Sequence, residues 1–217
     1  MTRPCSGVRP IEVSIARPLE DLRQVILHLG NGCSASAVRG GRAIETSMGL
    51  TPLQGLVMGT RSGDVDPGLH AYLAREAGLS LDEIDTLLNK KSGVLGLSGV
   101  NDFRELVERV EAGDDDAQLA FDVFVHRLKH YVGAYLAILG GADVLVFTAG
   151  IGQHSAPVRA AVADGLGELG IAVDASRNDD DSTGARVISP DGSRVVVAVV
   201  PTNEELAIAR QTADLVG

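Results

Sequence analysis

An α/β domain is what this sequence predicts: a meander of three short strands, then helices and strands in alternation. Three observations predict it. Between residues 25 and 48, short apolar or alternating runs are separated by tight glycine turns, as in consecutive antiparallel strands. Two later runs, 144–147 and 195–200, have strand character and are apolar enough to be buried. The segments between and after them place apolar residues at helical spacing, in one case from about residue 114 to about 139.

Taken in order, Val25, Ile26 and Leu27 read as a buried strand that ends in His28-Leu29-Gly30-Asn31-Gly32. Two glycines around an Asn at a strand end let the backbone turn back and approach a ligand closely. Residues 34–38 alternate small polar and apolar side chains, as a hairpin partner does. After a second turn, Arg39-Gly40-Gly41-Arg42, residues 43–48 form the third strand. Backbone amides and an Asn at the tip of such a meander suit a phosphate. Asp66-Pro67 then opens a helix with Leu69, Leu73 and Ala77 on one apolar face. A second helix over 80–90 is apolar at Leu81, Ile84, Leu87 and Leu88. A third, capped by Asn101 or Asp102, runs to 111 with Phe103, Leu106, Val107 and Val110 inward. These three helices, about residues 66–113, read as an insertion. The run Asp114-Asp115-Asp116 reads as a solvated helix start favoured by the macrodipole rather than as a metal site. It leads into the long helix, apolar at Phe121, Phe124, Val125, Leu128, Val132 and Leu136. Strand 144–147, helix 157–169, polar loop 178–182, strand 195–200 and helix 204–215 complete the chain.

The 217 residues fit one large domain or two small ones. Aromatic residues make up only 3% and Trp is absent, so the core must be aliphatic, closely packed around Gly and Ala. A net charge of −10 argues against a nucleic-acid partner, which needs a basic patch. Any phosphate site is then local, built from backbone amides and a few arginines. Cys5 and Cys33 provide neither a disulfide framework nor metal-ligand spacing, which fits a reducing cytoplasm. Arg3 and Arg9 are not followed by an apolar h-region, so no secretory signal is read. Residues 131–152 are mostly apolar, but Gly140-Gly141 and Asp143 interrupt them. A helix ending at the glycine pair and a buried strand after it account for the run better than a membrane span. The expectation is a soluble protein with no membrane partner.

Among residues that could carry chemistry, Arg61 stands out. It lies in a glycine-rich turn, Gly59-Thr60-Arg61-Ser62-Gly63, where a long side chain projects, and a planar guanidinium can bind two oxygens of a transferring phosphoryl group. On the residues alone, a surface arginine paired with Asp64 or Asp66 is an equal reading. By spacing alone His28 reads by default as a core histidine ending a strand, and Asn31 as an ordinary turn residue. Gly150-Ile151-Gly152 is a strand–helix connection whose helix start suits phosphates. Asp102-Phe103-Arg104 is a helix cap with a staple, and Glu204, after Pro201-Thr202-Asn203, is a capping carboxylate. His126 and His130 are spaced i, i+4, without a third ligand for zinc.

Residues 28–68 nevertheless closely resemble the acetate kinases and their short-chain carboxylate kinase relatives. Met48-Gly49-Leu50-Thr51-Pro52-Leu53 running into Met58-Gly59-Thr60-Arg61-Ser62-Gly63-Asp64 is the most specific part. The resemblance continues in order through Asn89-Lys90-Lys91-Ser92-Gly93-Val94-Leu95-Gly96, Asp102-Phe103-Arg104, Phe147-Thr148-Ala149-Gly150-Ile151-Gly152 and Pro201-Thr202-Asn203-Glu204-Glu205. It implies an actin-like ATPase, ribonuclease H-like fold, and a reversible transfer from ATP to acetate that gives acetyl phosphate and ADP. It implies that Arg61 stabilises the transition state, and that His28, Leu29, Gly30, Asn31 and Gly32 contact nucleotide phosphates. Asp102, Phe103 and Arg104, with Gly150, Ile151, Gly152, Gln153 and His154, would take the rest of ATP, and Glu204 would support Mg²⁺. Gln153-His154 stands where the family usually has Glu-Asn, which keeps a hydrogen-bonding side chain and loses a charge.

Acetate kinases are two-domain proteins of about double this length, and residues 18–217 resemble the C-terminal, nucleotide-side domain. Residues 1–17 fall outside the resemblance. Activity of this chain alone is accordingly expected to be poor or nil, with a separate N-terminal half as a further partner. The resemblance also implies a homodimer. Two alternatives stay open: a propionate or butyrate kinase, and a non-catalytic nucleotide-binding or dimerising remnant.

Overall fold

The computed structural model describes residues 17–202 and 212–213. The first strand, β1 (Arg23–Leu29), buries Val25, Leu27 and Leu29 on one face. It is antiparallel to β2 (Cys33–Arg39), with Leu29 opposite Cys33, so that Gly30, Asn31 and Gly32 form the connecting loop. β2 pairs in turn with β3 (Arg42–Thr46) through Gly40 and Gly41, at φ 56° and 74°. Two consecutive positive φ values are what a two-residue type I′ turn demands.

Four helices follow, α1 (Gly68–Glu76), α2 (Leu81–Lys90), α3 (Gly93–Ser98) and α4 (Phe103–Glu111), before the long α5 (Asp115–Leu139). Asp114 caps α5 by accepting from the amides of Asp116 and Ala117 at 3.0 and 3.1 Å, so the aspartate run serves the helix start. Gly140, at φ 69°, ends the helix in the left-handed region, and β4 (Val144–Thr148) follows, buried throughout. Then come α6 (Ala149–His154), α7 (Ala156–Ala163), α8 (Ala175–Asn178), the short β5 (Arg186–Val187) and β6 (Val196–Val199).

The strands form one sheet in the order β3-β2-β1-β4-β6-β5. β1, β4 and β6 are mutually parallel at its centre, and the antiparallel strands lie to either side. Parallel neighbours need long crossovers, which the helices supply. This is the ribonuclease H-like arrangement expected from the order of elements. α5 lies across β1 and β2, and its Phe124, Leu128 and Val132 join Val25, Leu27, Ala35, Leu145, Phe147 and α7's Val158 and Val162 in one core. That core is aliphatic apart from a few rings, as the composition required. A smaller cluster of Val144, Val146, Ala198 and Val200 occupies the other sheet face.

Several expectations need correction. Leu69, Leu73 and Ala77 do not face a core: α1 buries none of its residues, because it packs beside α2, outside the main cluster. Leu81 is 74% exposed, while Ile84 and Leu88 carry α2's burial. The helix expected over 157–169 stops at Ala163; Gly165 and Gly170, both at positive φ, break the path and leave a 3-10 turn, Gly167–Leu169. The third strand ends at Thr46, short of Met48. The last helix, expected over 204–215, lies almost wholly outside the described residues.

Asp143 clamps the start of β4 to β1. Its carboxylate accepts from the Arg23 backbone amide at 2.8 Å, from Arg23 Nε at 3.1 Å and from Arg17 Nη1 at 2.9 Å. Partial burial pushes its pKa up, but these cationic donors outweigh it and hold the carboxyl down at about 2, below the ordinary 3.8. A carboxyl depressed on folding contributes stability above its unfolded pKa and loses it as pH falls from about 4 to about 2. By that linkage the contribution is on the order of 2 kcal/mol. Asp143→Asn should therefore lower stability at pH 7 and flatten the acid limb in that window. Urea titrations from pH 7 to pH 2 check it, and parallel curves for the two proteins would refute it.

Candidate active site

The C-terminal ends of parallel β1 and β4 lie side by side, the usual place for a ligand in an open α/β sheet. At the end of β1, the Gly30 amide donates to the Gly32 carbonyl at 3.1 Å, closing a tight turn. A Cβ on Gly30 would lie 3.9 Å from Ala149 Cβ, so this turn abuts the start of α6. Asn31 is exposed at the tip, and its carbonyl accepts from the Gly59 amide at 3.1 Å. Its side-chain Oδ1 sits directly over Gly59, where any Cβ would collide with it. Only glycine permits that approach.

The Gly59–Gly63 turn brings Arg61 to the same place. Arg61 Nη1 lies 3.2 Å from where a Cβ on Gly32 would be, and among the described residues its hydrogen-bond partner is Met58 Sδ at 3.8 Å. The reading of Arg61 as a surface residue paired with Asp64 or Asp66 fails: among the described residues no carboxylate lies within ion-pair distance of it. Asp66 Oδ1 accepts from the Gly68 amide at 2.7 Å, opening α1. Asp64 binds the Gly55 amide at 3.0 Å, the Tyr131 hydroxyl at 2.6 Å and Arg127 Nη1 at 3.5 Å, tying the turn to α5. The turn is further tied to α2 and α3, through Ser62 N–H to the Leu88 carbonyl at 2.9 Å and Leu95 N–H to the Gly59 carbonyl at 2.8 Å. Arg61 thus stands on a well-anchored turn with no carboxylate partner among the described residues, in a cleft of about 490 Å³ shared with Asn31, Gly32, Thr60, Asn89 and Lys90.

His28 and Leu29 play different parts. Leu29 is fully buried in the core, so only its backbone is available to a ligand. His28, half-buried, stands opposite Ser34 and beside Thr148, and is not among the residues that line the Arg61 cleft. Below Arg61, Cys33 is buried and donates its thiol to the Gly30 carbonyl at 3.1 Å; burial pushes that thiol up to about 12, with the Arg61 charge pulling weakly the other way. It is a packing residue, neutral at physiological pH.

A second cleft, of about 560 Å³, brings together two segments that are distant in sequence: Asp102, Phe103 and Arg104 on one wall, and Gly150, Ile151 and His154 on the other. Asp102 caps α4 by accepting from the Arg104 amide at 2.8 Å, and pairs with the Arg104 guanidinium at 2.8 Å. The Arg104 side chain, its largest influence, holds Asp102 down at about 2. Phe103 is buried against Phe124, their rings 4.5 Å apart, and so forms the floor. Gly152 is buried against Phe147, and Gln153 is half-buried. Gly150–Gly152 is not a connection ahead of a helix: it lies within α6, which begins at Ala149.

Sequence reasoning passed over Asp64, Tyr131 and Arg127 as a group, and over Thr60, Asn89 and Lys90 beside Arg61. Asp64 lies in the matched motif and offered a signal; Tyr131 and Arg127 on α5 meet it, and Asn89 and Lys90 on α2 come beside Arg61, only in three dimensions. Glu204 lies outside the described residues, and among the described residues no three His, Cys, Asp or Glu groups cluster closely enough to hold a metal. No described helix is long and apolar enough to cross a membrane.

A sheet of this order, with two clefts at its C-terminal edge, has the ribonuclease H-like fold of the actin-like ATPase class. More narrowly, residues 8–210 match the acetokinase family model, and the chain belongs to that family. The match starts ahead of residue 18, where the motif resemblance began. The chain is 60% identical over 203 residues to the acetate kinase of Streptomyces avermitilis, covering 94% of this chain and 50% of that one. It is also 60% identical over 197 residues to the acetate kinase of Leifsonia xyli, covering 91% and 50%. The crystal structure of Porphyromonas gingivalis acetate kinase superposes with a TM-score of 0.92 at 41% identity, over 97% of this chain and 53% of that one. A propionate kinase from Francisella tularensis gives 0.86 at 42%, over 93% and 51%. The chain therefore spans about half the length of the curated relatives it matches.

Proposed function

We propose that this chain is the nucleotide-side half of an acetate kinase, transferring the γ-phosphoryl group of ATP to the carboxylate of acetate. A carboxylate oxygen bonds to the γ-phosphorus as the bond to the β–γ bridging oxygen breaks, giving acetyl phosphate and ADP. The observation that carries this reading is the position of Arg61: a guanidinium without a carboxylate partner among the described residues, beside a glycine turn, with a second cleft at the neighbouring strand end. In this reading the Asn31 and Arg61 cleft receives phosphates and the Phe103 and Ile151 cleft receives the adenosine part. Positioning and charge neutralisation then supply most of the catalysis.

Magnesium belongs to the same reading. It keeps most of its waters and binds largely through nucleotide phosphates, so one carboxylate, Glu204, would suffice as a protein anchor. When bound it would neutralise charge between the β- and γ-phosphates. A cytoplasmic homodimer and a separate N-terminal half supplying the carboxylate pocket complete the proposal, with sedimentation as the check on pairing. Acetate is favoured over propionate by the acetate kinases at 60% identity.

The test is calorimetric titration with Mg-ADP. Binding is expected, weaker than in a two-domain enzyme because residues 1–217 supply one side of the cleft, and Asn31→Ala should weaken it by about tenfold, the loss of one or two phosphate hydrogen bonds. No heat at millimolar Mg-ADP would refute the reading. Repeating the titration without magnesium tests the metal's share.

A further inference from the structure

Arg159, on α7, is 2% exposed, and among the described residues no carboxylate pairs with it. Its guanidinium donates instead to main-chain and amide oxygens. Nη1 reaches the carbonyls of Gly152 at 3.0 Å and Gln153 at 2.8 Å, Nε reaches Asn178 Oδ1 at 2.8 Å, and Nη2 reaches the Asn178 carbonyl at 2.7 Å. Asn178, itself buried, returns Nδ2 to the Ala156 carbonyl at 2.9 Å. Burial, aided by the charge of Arg186, lowers the Arg159 pKa to about 10, still far above neutrality, so a full charge is held inside the fold. Such burial is costly, and an apolar residue of similar size is often no less stabilising. What the guanidinium does that an apolar residue cannot is grip the last carbonyls of α6.

The other end of α6 starts from an uncommon backbone conformation. Ala149 has φ 64°, and it is the one non-glycine residue at positive φ among the described residues. That conformation is strained for alanine and persists only where the surroundings enforce it. α6 is thus bent into place at its entry and fastened at its exit, and its exposed face, Gly150, Ile151 and His154, is one wall of the second cleft.

We infer that Arg159 is a positioning residue for nucleotide binding, fixing α6 so that residues 150–154 present one surface to the adenosine part of the ligand. The inference rests on the functional reading above. Arg159 touches no ligand itself; it acts through the Gly152 and Gln153 carbonyls.

Two measurements on the full chain test it. Hydrogen–deuterium exchange of Arg159→Lys and Arg159→Met should show amides of 150–154 exchanging about tenfold faster or more, with β1 and α5 amides unchanged. Lys, with one point of attachment in place of the fork, should lie between Met and the parent. In binding, both variants should weaken Mg-ADP by about tenfold to a hundredfold while inorganic tripolyphosphate, confined to the Arg61 cleft, binds as in the parent. Unchanged exchange at 150–154 in a folded variant would overturn the inference, as would equal weakening of both ligands. If Arg159→Met does not fold, Arg159→Lys and Asn178→Ala carry the same comparison. A parent chain without affinity for Mg-ADP would remove the functional reading, and the exchange comparison would still decide whether Arg159 holds α6.

Discussion

Arg61→Ala is expected to remove acyl-phosphate formation by on the order of a thousandfold or more, the scale at which an arginine acts on a transferring phosphoryl group. The fold should survive, because among the described residues the Arg61 side chain has only the weak contact with Met58 Sδ, and stability should change by about 0.5 kcal/mol or less. Arg61→Lys should recover little, since a point charge cannot span two equatorial oxygens as a fork does. The assay is hydroxamate trapping with ATP and acetate, on this chain mixed with a separately expressed N-terminal half of a two-domain acetate kinase. The chain by itself should turn over many orders of magnitude more slowly than the mixture, because groups that act as a unit lose their effect together. Turnover by the chain alone at the rate of a two-domain enzyme would show the other half to be dispensable and sink that claim. A mixture that keeps its rate with Arg61→Ala would sink the role of Arg61.

Elements governed by local rules were legible in the sequence. The Gly40-Gly41 turn, the Asp114 cap and the Gly140 stop each depend on a few consecutive residues, and each lies where the pattern placed it. Faces were less legible. Leu69 and Leu73 have helical spacing but no core to meet, because what α1 packs on is decided by tertiary placement. The short α3 and β5 went unread, being too brief for a period to show. Of the candidate site, the glycine turns and Arg61 could be singled out from chemistry, and the resemblance added the remaining segments. The pairing of Phe103 with Ile151 across one cleft, and the grip of Arg159 on Gly152, join residues far apart in the chain; no spacing announces either.

Phe124→Ala is expected to be the most destabilising single change, at about 3–5 kcal/mol, because it opens a cavity that a close-packed interior refills only in part. Phe124 is fully buried at the middle of α5, in a core made mainly of aliphatic side chains with a few further rings, Phe103, Tyr135 and Phe147. Against a total stability of about 5–15 kcal/mol for a domain, that loss is a large share. Urea titration should show a lower midpoint with an unchanged slope, whereas Leu119→Ala, at a half-exposed position of the same helix, should stay within about 0.5 kcal/mol. The change has a second consequence. Phe103, the floor of the second cleft, packs its ring on Phe124 at 4.5 Å, and without that partner it is free to sink into the cavity. Mg-ADP affinity should therefore fall even at low temperature, where the variant remains folded. Phe124→Leu, which leaves a smaller void, should cost less in both stability and affinity. An alanine variant with full stability would mean that α5 does not carry the core; one that is destabilised but binds Mg-ADP normally would separate the Phe103 floor from the nucleotide site.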